Sequence, residues 1–326
     1  MYLTFYGLRE KPFDATSDPR FLYLSPGHRE ALAQLVYGTS ERKGFIVLTG
    51  KVGTGKTTLL HALRQRLNAQ TAISFVVNSG LSFDGILECI FDDLGITKVV
   101  ESPAQRLIAL NNFLTERERT GQNTVLVIDE AQNLDATTLE QIRLLSNFEA
   151  PNKKLLQIVL SGQPELREKL RLPQLQQLKQ RIELRCQIAP LTRDQVRDYI
   201  RTRLRIAGAC DLGIFTDGAI DRITRYSGGV PRLISILCDH SLVFAYADQK
   251  RRVARRDVSQ AIDYLEETTS SDRGGWLFHG AAMPRRLQWL LATFGLAVAA
   301  TVVTFAVRFD AMLRGLVRSV RGFLIP

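Results

Sequence analysis

A chain of 326 residues with 45% hydrophobic and 23% charged content can bury a full core, which excludes a disordered chain. Its four cysteines, Cys89, Cys186, Cys210 and Cys238, have no C-x-x-C or Cys/His spacing, so neither a zinc site nor a disulfide framework organises the fold. The formal charge of +10 raises nucleic acid as a partner, but seven arginines against two aspartates from Asp272 onward put half the excess around one hydrophobic segment, where anionic lipid fits equally well.

In chain order, Met1 to Glu10 has no basic stretch leading into an apolar run, so no secretory leader is expected and the body should stay in the cytoplasm. Phe45 to Thr49 reads as a buried strand, and Leu59, Leu60, Leu63 and Leu67 give Lys56–Leu67 a helical period. Between them runs Gly50-Lys51-Val52-Gly53-Thr54-Gly55-Lys56-Thr57, followed by Thr58, which matches G-x-x-x-x-G-K-[ST] at every fixed position. Glycines there let backbone N–H groups and a helix N-terminus face an anion; Lys56 adds charge toward the β- and γ-phosphates, and Thr57 can ligate Mg²⁺. Residues 50 to 58 are therefore expected to hold ATP with Mg²⁺.

Further strands are expected at Ile73–Val77, which ends at Asn78, at Thr124–Ile128, at Leu155–Leu160 and around Glu183–Ile188. Helices are expected at Phe83–Leu94, Ala104–Arg119 and Leu139–Phe148. Such alternation predicts an α/β fold, a parallel sheet with helices on both faces and polar strand ends along one edge. The third strand delivers Asp129 and Glu130 to that edge. Asp129 is suited to holding Mg²⁺ through water, and Glu130 to orienting and deprotonating the attacking water, so hydrolysis is expected as well as binding.

After about residue 190 the pattern is all helical, with Arg193–Ala207, Asp217–Tyr226, Val230–Ala247 and Asp257–Glu266 forming a small bundle. A polar linker leads to Leu287–Val307, 21 residues without a charge and long enough for one membrane crossing, flanked by Arg285, Arg286, Trp289 and Arg308. The last residues are alternately apolar and basic, like an amphipathic tail on a membrane surface. The expected divisions are 1–42, an N-terminal segment packing near the nucleotide; 43–190, the ATPase core; 191–267, a helical lid; 268–284, a linker; 285–308, the transmembrane helix; and 309–326, the basic tail.

Tyr6-Gly-Leu-Arg-Glu-Lys-Pro-Phe13, Phe21-Leu-Tyr-Leu-Ser25 with His28-Arg29, the glycine loop, Asp129-Glu-Ala-Gln132 and Ser161-Gly-Gln-Pro-Glu-Leu166 together resemble the ExeA-like, general-secretion-pathway-A family of AAA+ P-loop ATPases over about residues 1 to 267. The resemblance implies an inner-membrane, single-pass ATPase with its body in the cytoplasm, serving an envelope secretion or polysaccharide-export complex, exosortase-associated relatives included. It implies that Ser161 or Gln163 senses the γ-phosphate, and that Arg232, in Gly228-Gly-Val-Pro-Arg232, closes the lid on the nucleotide. It also implies that Arg181, with Arg171 and Arg185 nearby, acts as an arginine finger in trans within a homo-oligomer, and that Asn78 restrains Glu130 until a partner binds. Phe13, Phe21 and Tyr23 stand where such proteins wrap the adenine. The competing readings are a DNA-handling switch resembling transposition-helper or replication-initiator ATPases, using the basic run Arg251, Arg252, Arg255 and Arg256, and a nucleotide-dependent scaffold without turnover. Of these partners, nucleic acid is the less favoured, because a hydrophobic span follows the lid.

Overall fold

The computed structural model describes residues 2–14, 19–77, 80–96, 102–151 and 153–271. Residues up to Glu266 form one compact unit. Asn78, most of the linker, the hydrophobic segment and the basic tail lie outside the described residues. Among the described residues no helix is long and apolar enough to cross a membrane.

Five strands, β1 (Phe45–Gly50), β2 (Thr71–Val76), β3 (Asn123–Ile128), β6 (Gln157–Gly162) and β7 (Ile182–Ile188), form an all-parallel sheet in the order β2-β3-β6-β1-β7. The remaining two, β4 (Glu149–Ala150) and β5 (Lys153–Lys154), make a short antiparallel pair. Every residue of β1 and β6 is buried, as strands covered on both faces require. Alternation sorts the side chains: Ile46 and Leu48 pack with Leu32 and Leu35 of α2 (Pro26–Ser40) and Leu59 and Leu63 of α3 (Lys56–Arg66). Phe45 and Val47 enter the opposite layer with α4 (Phe83–Leu94), α5 (Pro103–Arg119), α6 (Ala136–Leu145), α7 (Pro164–Lys169) and α8 (Gln176–Arg181).

Four helices follow: α9 (Arg193–Ile206), α10 (Asp217–Ser227), α11 (Pro231–Ala247) and α12 (Arg255–Ser271). Thr192 and Gln195 close a capping box on α9, and Thr216 caps α10. Their core is not theirs alone. The N-terminal helix α1 (Tyr2–Tyr6) and the segment behind it contribute Tyr2, Tyr6, Leu8, Phe13 and Phe21 to this cluster, whereas α2 packs on the sheet. The expected N-terminal segment therefore serves two layers. Tyr2 donates to Asp239 Oδ1 at 2.6 Å, Tyr6 to the Lys250 carbonyl at 2.9 Å, and Arg203 to the Pro12 carbonyl at 2.5 Å. Arg251, read from the sequence as part of a basic run, bonds the Phe5 carbonyl and lies 4.2 Å over the Phe5 ring.

Candidate nucleotide site

The site is built where β1, β3 and β6 end. Gly50 terminates β1, and the chain curls through Gly53 and Gly55, with φ of 75° and 96°, backbone that L side chains rarely adopt. A Cβ on Gly53 would also lie 2.9 Å from the Cβ of Arg232. Gly55 caps α3 without a side-chain bond, so the helix N-terminus points into the loop with its N–H groups uncommitted to a side chain. Lys56 is 4% exposed, and among the described residues its ammonium reaches only the carbonyls of Gly50 at 3.1 Å and Lys51 at 3.4 Å. A buried cation with no carboxylate partner among the described residues, inside a ring of amides, fits an anion.

Asp129, 1% exposed, accepts three bonds: Thr57 Oγ1 at 2.6 Å to Oδ2, Ser161 Oγ at 2.7 Å and the Glu130 N–H at 2.9 Å to Oδ1. These hydrogen bonds join the glycine loop, the acidic strand end and the end of β6. A buried carboxylate beside a threonine hydroxyl, with no cation paired to it among the described residues, is the oxygen donor set a hard divalent ion prefers. Glu130 sits in the left-handed region with φ of 53° and is half-buried. Its Oε2 accepts from Gln132 Nε2 at 2.6 Å and Gln163 Nε2 at 3.3 Å. Both sequence candidates for the sensing group thus converge, Ser161 on Asp129 and Gln163 on Glu130.

A cleft of about 510 Å³ opens from this loop toward the helical layer; Val52 to Thr58, Glu130, Tyr199 and Arg232 are among its walls. The Arg232 N–H donates to the Gly53 carbonyl at 3.3 Å, so the start of α11 touches the loop directly. Phe13, Phe21 and Tyr23 line the same cleft, but Phe13 and Phe21 are also buried members of the helical core, so the two uses of these aromatics coincide. A wider polar depression of about 640 Å³ between Ser40–Lys43 and Lys153–Lys154 lies at the other end of the strands and has no glycine loop.

Arg181 is absent from this constellation. Ile182 pairs with Phe45 and Ile188 with Gly50, so Arg181 sits at the far end of the strands, roughly 17 Å of strand from the glycine loop. It donates to Ser146 Oγ at 2.6 Å. Arg171 and Arg185, with Arg167 and Lys179, instead rim a groove of about 250 Å³ floored by Val47, Leu170 and Cys186. Burial pushes the Cys186 thiol up to about 11, which keeps it an inert core group.

Sequence reasoning assigned no role to His28. It is 4% exposed, with Nε2 2.8 Å from the Thr54 carbonyl and Nδ1 2.6 Å from Ser25 Oγ. A carbonyl can only accept, so Nε2 carries the proton, and Nδ1 accepts a hydrogen bond from the Ser25 hydroxyl. Ser25 caps α2 by accepting from the His28 N–H, and that cap signal, S-P-x-H ahead of an apolar helix, could have marked the residue. Of the two glutamines on Glu130, Gln163 was a sequence candidate for the sensing group, whereas Gln132 was visible only as a motif letter.

Residues 39–170 match the AAA domain family. Over 277 residues the chain is 42% identical to general secretion pathway protein A of Aeromonas hydrophila, a match that covers 85% of this chain. Residues 39–170 thus carry an AAA domain, and most of the chain is similar to general secretion pathway protein A. It spans 50% of the length of the Aeromonas protein. The fold is also that of Cdc6p from Pyrobaculum aerophilum, at 20% identity and a TM-score of 0.57 over 78% of this chain and 70% of that one. The Aeropyrum pernix ORC2 protein, solved as ADPNP-ADP complexes, matches at 16% identity and a TM-score of 0.55 over 79% and 72%. The AAA-domain match takes in the glycine loop and the strands from β1 to β6.

Proposed function

We propose that this chain is a membrane-anchored AAA+ ATPase that binds and hydrolyses ATP to drive or switch the assembly of an envelope secretion or export complex. The observation that carries the reading is the 2.6 Å hydrogen bond between Thr57 and Asp129, which brings a phosphate-type loop and a carboxylate strand end together.

Residues 50 to 58 cradle the triphosphate, with the loop amides and the Lys56 ammonium balancing its charge. Thr57 and Asp129 would hold Mg²⁺, which when bound supplies charge neutralisation at the phosphate oxygens. Glu130 orients and deprotonates the attacking water; Ser161 and Gln163 register the end of the triphosphate, and Arg232, already hydrogen-bonded to the loop through its backbone, brings the helical layer onto it. Arg181 acts in trans on the nucleotide of a second copy. Its place at the opposite strand ends supports this, since within one chain it cannot reach its own loop. Asn78 restrains Glu130 before a partner binds.

Leu287–Val307 anchors the chain in the inner membrane with the ATPase body cytoplasmic, on the strength of its 21 uncharged residues. The likeness to general secretion pathway protein A supports an envelope client, and the client itself is part of the proposal because only half of that protein is spanned.

Steady-state phosphate release tests the reading. The wild-type chain with ATP and Mg²⁺ is expected to turn over, and Glu130→Gln is expected to lose about 10²-fold or more in kcat while retaining ATP. Equal turnover by wild type and Glu130→Gln would remove Glu130 from the chemistry.

A further inference from the structure

The side chain of Gln132 spans a gap between two strand ends. Its amide oxygen accepts from the Gln163 N–H at 3.0 Å, and a backbone N–H has no other role than donor. That bond turns the amide NH₂ the other way, onto Glu130 Oε2 at 2.6 Å. The fit is close on both sides, for a Cβ on Gly162 would stand 2.8 Å from the same amide oxygen. Gln163 adds a second, longer bond from its own amide to Oε2 at 3.3 Å. Both amides use one carboxylate oxygen, and among the described residues Oε1 keeps no hydrogen bond.

A second tie closes the loop. Gln163 is followed at once by α7, and Lys169, the last residue of that helix, turns its ammonium back onto the carbonyls of Gln132 and of Leu134, the latter at 2.6 Å. No carboxylate pairs with Lys169 among the described residues. Its charge is spent on backbone carbonyls of the three-residue turn Ala131–Asn133 and the residue after it, the turn that directly follows Glu130. The left-handed backbone of Glu130 is thus held from both ends, by Asp129 on one side and by this turn on the other.

From this geometry we infer that Gln132 and Lys169 are positioning residues, which fix the Glu130 carboxylate relative to the end of β6 and so keep the free oxygen Oε1 available to the attacking water. The inference rests on the proposed ATPase activity and extends it. Neither side chain lines the nucleotide cleft, so each acts through Glu130 and through the turn that carries it. A displaced base costs rate without costing binding, since the triphosphate is gripped by other residues.

The test is a comparison of kcat and KM for ATP. Gln132→Leu, similar in size but without the two amide bonds, is expected to lower kcat about 10- to 100-fold with KM within about twofold of wild type. Lys169→Met is expected to lower kcat as well, and Lys169→Arg, which still donates to both carbonyls, to recover most of it; this rescue separates positioning from mere packing. ATP binding serves as the folding control for each variant, and if Gln132→Leu does not fold, the Lys169 pair carries the test. Wild-type turnover with Gln132→Leu, or the Lys169 pair, at unchanged kcat would overturn the positioning role and leave the ATPase reading standing. A wild type without turnover would overturn both.

Discussion

His28 shows how a single buried ring ties two elements together. It connects the cap of α2 to the Thr54 carbonyl inside the glycine loop, and burial pushes its pKa below the ordinary value of 6.5. Above that value the ring is neutral in folded and unfolded chains alike, and pH has no purchase on it. As pH falls below 6.5, the unfolded chain takes up a proton that the folded chain refuses, so stability falls with pH until the lower folded pKa is passed. Denaturation midpoints between about pH 5 and 8 are expected to drop on the acid side, and His28→Gln is expected to flatten that limb. An unchanged acid limb in the variant would assign the drop to other groups. Of the site side chains, Lys56, Thr57, Asp129 and Glu130 were legible because a fixed spacing announces them. Gln163 was reached through the family resemblance alone, whereas Gln132 and His28 act through contacts with residues far apart in sequence, about which spacing is silent.

Element boundaries followed the cap signals closely where these were unambiguous. Ser82 and Gly95 flank α4 on the side a cap and a left-handed stop require, and the expected Phe83–Leu94 is the observed helix. Elsewhere a carboxylate misled. Asp257 reads as the residue that opens a helix, yet α12 opens at Arg255, and Asp257 reaches back from the third position to the Ala254 N–H at 2.7 Å. Its other oxygen receives the Lys250 ammonium at 2.8 Å, and the side chain is fully buried. Asp257→Ala is therefore expected to destabilise the helical layer by about 2 kcal/mol, read as a lowered urea midpoint at unchanged slope. A shift below about 0.5 kcal/mol would show that the two bonds contribute little net stability. Asp135 likewise starts α6 at Ala136, three residues before the apolar period suggested, by accepting from the Thr138 N–H at 2.6 Å. Helices α7 and α8 and the β4–β5 pair escaped sequence reading because six residues, or two, are too few to set a period.

The whole described unit combines a parallel sheet, whose alternation of strand and helix was written in the sequence, with a helical layer whose core was not. Tyr2 and Asp239 meet across nearly the full length of that unit, and no local pattern foretells the return of α1 onto α11. The consequence is mechanical. The chain ahead of the loop and the helices behind the sheet share one core, and that core reaches the loop through Arg232 and Gly53. A nucleotide that binds in the cleft then bears on both layers, which is what a switch needs. All of this depends on the loop, the Thr57 hydroxyl and Asp129 acting as one receptor for a metal-bound triphosphate. Calorimetric titration of the purified chain with ATP, with and without Mg²⁺, addresses that receptor directly. Micromolar or tighter binding that requires Mg²⁺ and is lost in both Lys56→Ala and Asp129→Ala is the expected result, whereas no heat of binding in the wild type, or equal affinity in all three proteins, would contradict it.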